Sequence, residues 1–158
     1  MQQSRSIASR RNVLAYSATL AGLLAAAGLL PRAAFAAWSQ DAFEAKNMAD
    51  ALKALGGSAP LESKDVSLTA PDIAENGAVV PLTCACALPG VRRIVVLVEK
   101  NPNTLAAVFD VSDAVEANFA IRVKMGQSSN VFAAAMMADG KVLFAQKEVK
   151  VTMGGCGG

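Results

Sequence analysis

Three side chains in this sequence can act as sulfur nucleophiles, the thiols of Cys84, Cys86 and Cys156, and no histidine accompanies them. Without histidine there is no Ser–His or Cys–His pair, no histidine general base and no histidine-ligated metal. Cys156 stands inside Gly154-Gly155-Cys156-Gly157-Gly158. Glycine has no side chain and accepts almost any backbone conformation, so this stretch is expected to be narrow and mobile. Five extended residues span roughly 16–18 Å, enough to carry a sulfur into another protein's pocket. Thiolate is the reactive species, and a free thiol is only a few per cent ionised at neutral pH. No base or cation lies within the glycine stretch to change that. Cys156 is therefore expected to be a poor catalyst alone that needs activation inside another enzyme's site, as suits a carrier and not an enzyme, with Gly154, Gly155, Gly157 and Gly158 as a slim swinging arm, or else a disulfide-forming cysteine in a disordered end. The alternative is an adaptor module whose terminal cysteine forms an intermolecular disulfide.

Cys84 and Cys86 present different chemistry. Two apart in an expected strand, they point to one face with Cα atoms nearly 7 Å apart, at or beyond the disulfide limit. A bond between them is disfavoured. They read as buried small hydrophobes or as thiols facing a subunit interface. The functional alternatives are an intersubunit disulfide, a disulfide that captures the tail, or a Cys-Ala-Cys redox pair. No metal or cofactor site emerges from the residues.

The other elements must export and position these thiols. Arg10-Arg11 precede a largely apolar run from Val13 to Leu30, then Pro31 and Ala34-Phe35-Ala36. Positive, apolar and small-residue regions in that order describe a cleaved secretory signal over residues 1–36, and the paired arginines resemble a twin-arginine signal. The expected location is the periplasm, with no stable membrane anchor, and export of an already folded chain lets a signal-less partner travel with it. The sequence carries 15 basic and 13 acidic residues. Arg5, Arg10, Arg11 and Arg32 fall within the signal, which contains no acidic residue, so the remainder is about −2 (11 against 13). That balance, with one Trp and one Tyr, argues against a nucleic-acid surface.

The segment 37–57 reads as a helix. Met48, Ala51, Leu52 and Leu55 recur at helical spacing, Ser39 is a candidate N-cap, and Gly56-Gly57 a stop. Beyond Ser58 the period becomes two, and residues 58–153 read as the folded carrier domain. Val66–Thr69 alternates, and Ala78–Cys86 follows the Asn76-Gly77 turn with Pro81 inside it, which argues for an edge or a bulge. Ile94–Val98 is an uninterrupted run that suits a central strand. Leu105–Phe109 and Phe119–Met125 follow, and Ser129–Met137 and Lys141–Val151 flank Asp139-Gly140, a strong hairpin signal. About seven antiparallel strands at short spacing predict a mainly β protein, an immunoglobulin-like antiparallel β-sandwich with an N-terminal helix and a flexible Gly-Gly-Cys-Gly-Gly tail at 154–158.

Several of these segments carry a family likeness. They are Ala70-Pro71-Asp72-Ile73-Ala74-Glu75-Asn76-Gly77-Ala78-Val79-Val80-Pro81 and Val98-Glu99-Lys100-Asn101-Pro102-Asn103. Then come Ile121-Arg122-Val123-Lys124-Met125-Gly126-Gln127-Ser128-Ser129-Asn130-Val131, Lys147-Glu148-Val149-Lys150-Val151-Thr152-Met153 and the Gly-Gly-Cys-Gly-Gly stretch. In that order, behind a twin-arginine-type signal, the chain resembles the SoxY family, sulfur-substrate carriers of the periplasmic Sox thiosulfate-oxidation system. The resemblance implies an immunoglobulin-like fold, a heterodimer with a SoxZ-type subunit, and Cys156 as the point of covalent attachment for thiosulfate-derived sulfur. It implies a haem c enzyme that conjugates thiosulfate, a dimanganese hydrolase that releases sulfate, and a sulfane dehydrogenase. Haem, manganese and molybdenum then belong to those partners, and the carrier itself needs no cofactor. Cys84-Ala85-Cys86 and the short Leu88-Pro89-Gly90 link depart from the family's pattern.

Overall fold

A computed structural model describes residues 39–152. Their organisation follows from where apolar residues fall on one or both faces of a strand. In β5 (Val91–Val98) every residue from Ile94 to Val98 is buried, so both faces of this strand are covered. The adjacent β8 (Ser129–Met137) is likewise buried on both faces, with Val131 through Ala135 inside. These two strands form the middle of a large sheet ordered β1-β9-β8-β5-β6, where β1 is Pro60–Glu62, β6 is Leu105–Asp110 and β9 is Val142–Val151. β3 (Ile73–Ala74) also pairs with β9. A smaller sheet of β2 (Val66–Thr69), β4 (Val80–Cys86) and β7 (Asn118–Val123) faces it in the order β2-β4-β7. Ile94, Val96, Val98, Val131, Ala133 and Ala135 of the large sheet pack against Val66, Val80, Leu82 and Cys84 of the small one. That is an immunoglobulin-like sandwich.

The opposite face of the large sheet, carrying Val95, Leu97, Phe132, Ala134 and Met136, is covered by helices. One continuous helix over 37–57 is not what forms. The chain makes α1 (Gln40–Glu44) and α2 (Met48–Ala54). The break has a local cause: Asn47 takes an extended conformation and caps α2, its Oδ1 accepting the Asp50 N–H at 2.9 Å. Lys46 ties the break to the loop after β5, its Nζ donating to the Pro102 carbonyl at 2.7 Å. The expected stripe survives the interruption, since Ala51 and Leu52 are fully buried with Met48 and Leu55 packed beside them. Ser39 caps α1, its side chain accepting the Ala42 N–H at 3.3 Å, and Gly56 ends α2 at φ +86°.

Three other expectations need correction. Among the described residues there are nine strands, not about seven. The sheets are not wholly antiparallel, because β1 and β3 both run parallel to β9. And β4 is not an edge strand but the centre of its sheet. Pro81 is tolerated because β2 pairs only with Thr83–Cys86, so at Pro81 the strand has β7 as its neighbour on one side alone. The Asp139-Gly140 hairpin forms as expected, Gly140 adopting φ +85° and the Asp139 carboxylate accepting the Lys141 N–H at 3.1 Å.

Candidate functional site: the tail end of the sandwich

From β4 to β9 the strands alternate in direction, so the segments joining them separate into two ends. At one lie residues 70–79, 99–104 and 124–128, together with the end of β9. These loops are tied to one another. Met125 N–H donates to the Gly77 carbonyl at 2.7 Å, and Asn101 Nδ2 donates to the Lys124 carbonyl at 2.7 Å. Lys100 N–H donates to Ser129 Oγ at 3.0 Å, and Asn130 Nδ2 to Glu99 Oε2 at 3.0 Å. The four segments outside the glycine stretch that carry the family likeness are thus brought together at one end. Sequence reasoning had them as separate stretches; nothing in their spacing announced that they meet.

β9 leaves the fold at this end. Its last residues are held by the preceding loop: Lys150 N–H donates to the Asp72 carbonyl at 3.0 Å and Thr152 N–H to the Ala74 carbonyl at 3.1 Å. Thr152 Oγ1 donates to the Glu75 carbonyl at 3.1 Å, and Val151 N–H to Ser128 Oγ at 2.9 Å. Lys147 Nζ reaches the Ala70 carbonyl at 2.6 Å and Asp72 Oδ1 at 2.9 Å. Cys156, its flanking Gly154, Gly155, Gly157 and Gly158, and the arginines Arg10 and Arg11 lie outside the described residues.

Cys84 and Cys86 are both unpaired and buried, at 0% and 9% exposure. They share the inward face of β4, as their two-residue spacing requires. Cys84 Sγ lies 3.6 Å from the Phe119 carbonyl, to which it donates, and burial pushes its pKa up. It is therefore a core side chain in its protonated, unreactive form. Cys86 borders a groove of about 700 Å³ at the opposite end of the sandwich, between Lys64-Asp65, Leu88-Pro89-Gly90 and Val111–Ala117. Cys86 and the Leu88-Pro89-Gly90 link thus lie at the end opposite the last residues of β9, with Cys84 in the core between.

That placement bears on a tail-capturing disulfide. Cys84 is fully buried, so capture of the tail through it would require the core to open. A redox pair fares no better, with one thiol held protonated by burial. Among the described residues no group of three His, Cys, Asp or Glu side chains could hold a metal ion, and no helix is long and apolar enough to cross a membrane.

Comparison with known proteins bears on what this end serves. The family described as sulfur oxidation protein SoxY matches residues 51–156. The chain belongs to the SoxY family. Its match continues past the described residues and ends on Cys156. Among solved structures, the sulfur carrier protein SoxY from Chlorobium limicola f. thiosulfatophilum is 36% identical, covering 66% of this chain and 94% of that one with a TM-score of 0.60. A superoxide reductase (neelaredoxin) from Ignicoccus hospitalis is 16% identical, covering 54% of this chain and 78–79% of that one with a TM-score of 0.49. A search of curated proteins finds no match. Membership of the SoxY family agrees with the resemblance drawn from the separate segments and with the β-sandwich built from them.

Proposed function

We propose that this chain is a covalent carrier of sulfur substrates in thiosulfate oxidation, loaded on Cys156 and presented to the Sox enzymes by the end of the sandwich from which β9 emerges. The observation that carries the reading is the family match that runs through to Cys156. The 36% identity to a solved sulfur carrier protein supports it. So does the inert setting of Cys84, which leaves the tail thiol without a rival in the core.

Loading is an oxidation. The Cys156 thiol gives its proton to solvent, its sulfur bonds to the sulfane sulfur of thiosulfate, and the two electrons released would be taken up one at a time by the haem-containing conjugating enzyme. Release of sulfate is a hydrolysis. Water attacks the sulfone sulfur, the bond between sulfone and sulfane sulfur breaks, and the electron pair stays on the sulfane sulfur as a cysteine persulfide. Where the host supplies a sulfane dehydrogenase, that persulfide sulfur is the substrate it would meet; otherwise the sulfur is left for storage. The carrier contributes the handle and no cofactor of its own; haem, manganese and molybdenum sit in the partners. It pairs with a SoxZ-type subunit, and the Arg10-Arg11 signal sends the folded chain to the periplasm.

Intact-mass measurement after incubation with thiosulfate and the haem-containing conjugating enzyme tests this reading. A reducible sulfur adduct is expected on the wild-type chain and not on Cys156→Ser. Absence of an adduct with a competent enzyme refutes the carrier role, and a disulfide to another protein chain in its place assigns the adaptor role. Gly155→Val is expected to slow loading without altering the fold, since a branched side chain widens and stiffens the arm.

A further inference from the structure

β9 outruns its own hairpin partner. The pairing of β8 with β9 begins at Ser129↔Val149, so β8 offers no partner to Lys150, Val151 or Thr152. Unsupported, these last residues would fray from the sheet, as strand ends without a ladder do. They are held instead by a different piece of chain. β3, two residues long, lies parallel to them in the register Ile73↔Lys150 and Ala74↔Val151. Hydrophobic burial supplies half of this contact, because Ala74 is buried in the core with Val151 packed against it, while Ile73 is 59% exposed. Hydrogen bonds supply the rest. The amides of Lys150 and Thr152 donate to the carbonyls of Asp72 and Ala74, and the Val151 amide to Ser128 Oγ. Two side chains of β9 and its exit add to them: Thr152 Oγ1 on the Glu75 carbonyl, and Lys147 Nζ on both the Ala70 carbonyl and Asp72 Oδ1.

We propose that residues 70–75 clamp the root of the carrier arm, and that Thr152 and Lys147 are positioning residues that set where the arm starts and from where Cys156 is presented. The proposal rests on the carrier reading for its purpose but not for its geometry. With the clamp closed, four residues of sequence separate Cys156 from Thr152, the last residue the clamp holds. With it open, the last fixed point retreats to Val149, lengthening the free chain by about three residues or ~10 Å. The local concentration of a tethered group falls as roughly the −3/2 power of tether length. Going from four tether residues to seven therefore dilutes the thiol about twofold at a docked enzyme's site, before any loss of direction is counted.

The test uses the full chain with its partner subunit, comparing wild type, the double variant Thr152→Val/Lys147→Met, and Thr152→Ser, which keeps the hydroxyl. Two measurements are made on each: amide hydrogen exchange along β9, and steady-state loading of Cys156 with thiosulfate. The double variant should exchange about tenfold faster at residues 150–152, with β8 unchanged. Its KM for the carrier in the loading reaction should rise about two- to fivefold at constant kcat, and Thr152→Ser should match wild type in both. Unchanged exchange at 150–152 overturns the clamp. Faster exchange with unchanged KM overturns its role in presentation. A wild-type chain that is never loaded refutes the carrier reading, and with it the purpose of the clamp, in a control that does not involve the variants.

Discussion

A carrier with three thiols keeps its cargo in one place only if two of them stay unreactive, and the state of Cys84 can be read through pH. Its side chain is fully buried and its thiol pKa is raised by loss of hydration. In the unfolded chain the same thiol ionises near 9. Between the two values the folded protein holds a proton that the unfolded chain has released, so stability falls as pH rises through that window and is intact below it. The slope contributed by one such proton approaches ~1.4 kcal/mol per pH unit. Urea unfolding at intervals from pH 7.5 to 10.5, monitored by the tyrosine- and tryptophan-independent far-ultraviolet signal of the strands, measures the slope. Cys84→Ala removes the group while leaving the lysines and the other thiols in place. The substitution lowers stability at neutral pH by the loss of a small buried side chain, on the order of 1 kcal/mol. The difference between the two profiles should then narrow above pH 9, as the wild type pays a proton-linked penalty that the variant lacks. Parallel profiles across the range would mean that Cys84 ionises as easily folded as unfolded, and the argument that the core thiol cannot compete for sulfur would fail.

Three further outcomes follow from the packing. A thiol-reactive disulfide reagent at neutral pH should modify one cysteine rapidly in the native chain and all three after denaturation, given that Cys84 and Cys86 are buried; rapid native modification of Cys84 would contradict its placement in the core. Leu52→Ala should cost ~2–5 kcal/mol in denaturant unfolding, because the side chain is fully buried between α2 and the large sheet. Gly57→Ala and Gly140→Ala should both destabilise, for different reasons that their structures would reveal. At Gly57 an added Cβ meets Val142 Cγ2 at 2.7 Å and the Leu52 carbonyl and Met136 Cε at 3.1 Å, an overpacking cost of ~1–3 kcal/mol that Val142→Ala relieves only in part, whereas at Gly140 the space is open and φ is +85°, a backbone cost of ~1–2 kcal/mol that no neighbouring substitution relieves.

The elements that sequence reasoning found are those whose burial pattern is local. Ile94–Val98 reads as doubly buried because every residue is apolar, and Asp139-Gly140 reads as a hairpin because the turn demands a positive φ. β1 and β3 escaped because three and two residues are too few to show a period, and their partner β9 lies far along the chain. The helix break was visible in principle. Asn47, followed three positions later by Asp50, is an N-cap signal inside the helical pattern, and the apolar stripe continuing across it concealed the stop. For the site, Cys156 is singled out by its glycine neighbours and the absence of histidine, and it lies outside the described residues. The setting of the last β9 residues was not legible, since it is assembled from backbone carbonyls of residues 70–75, and carbonyls leave no mark on residue identity.

The strand that ends in the tail is also the one most widely shared in the large sheet. Ten-residue β9 pairs with β8 along one side, and with β1 near its start and β3 near its end. A pull applied through the C-terminus therefore acts along the strand axis, and loads these ladders in shear, so that many hydrogen bonds resist together instead of opening one after another. On the proposed carrier reading, an enzyme that draws the C-terminus toward its own site would meet a stiff mooring in β9.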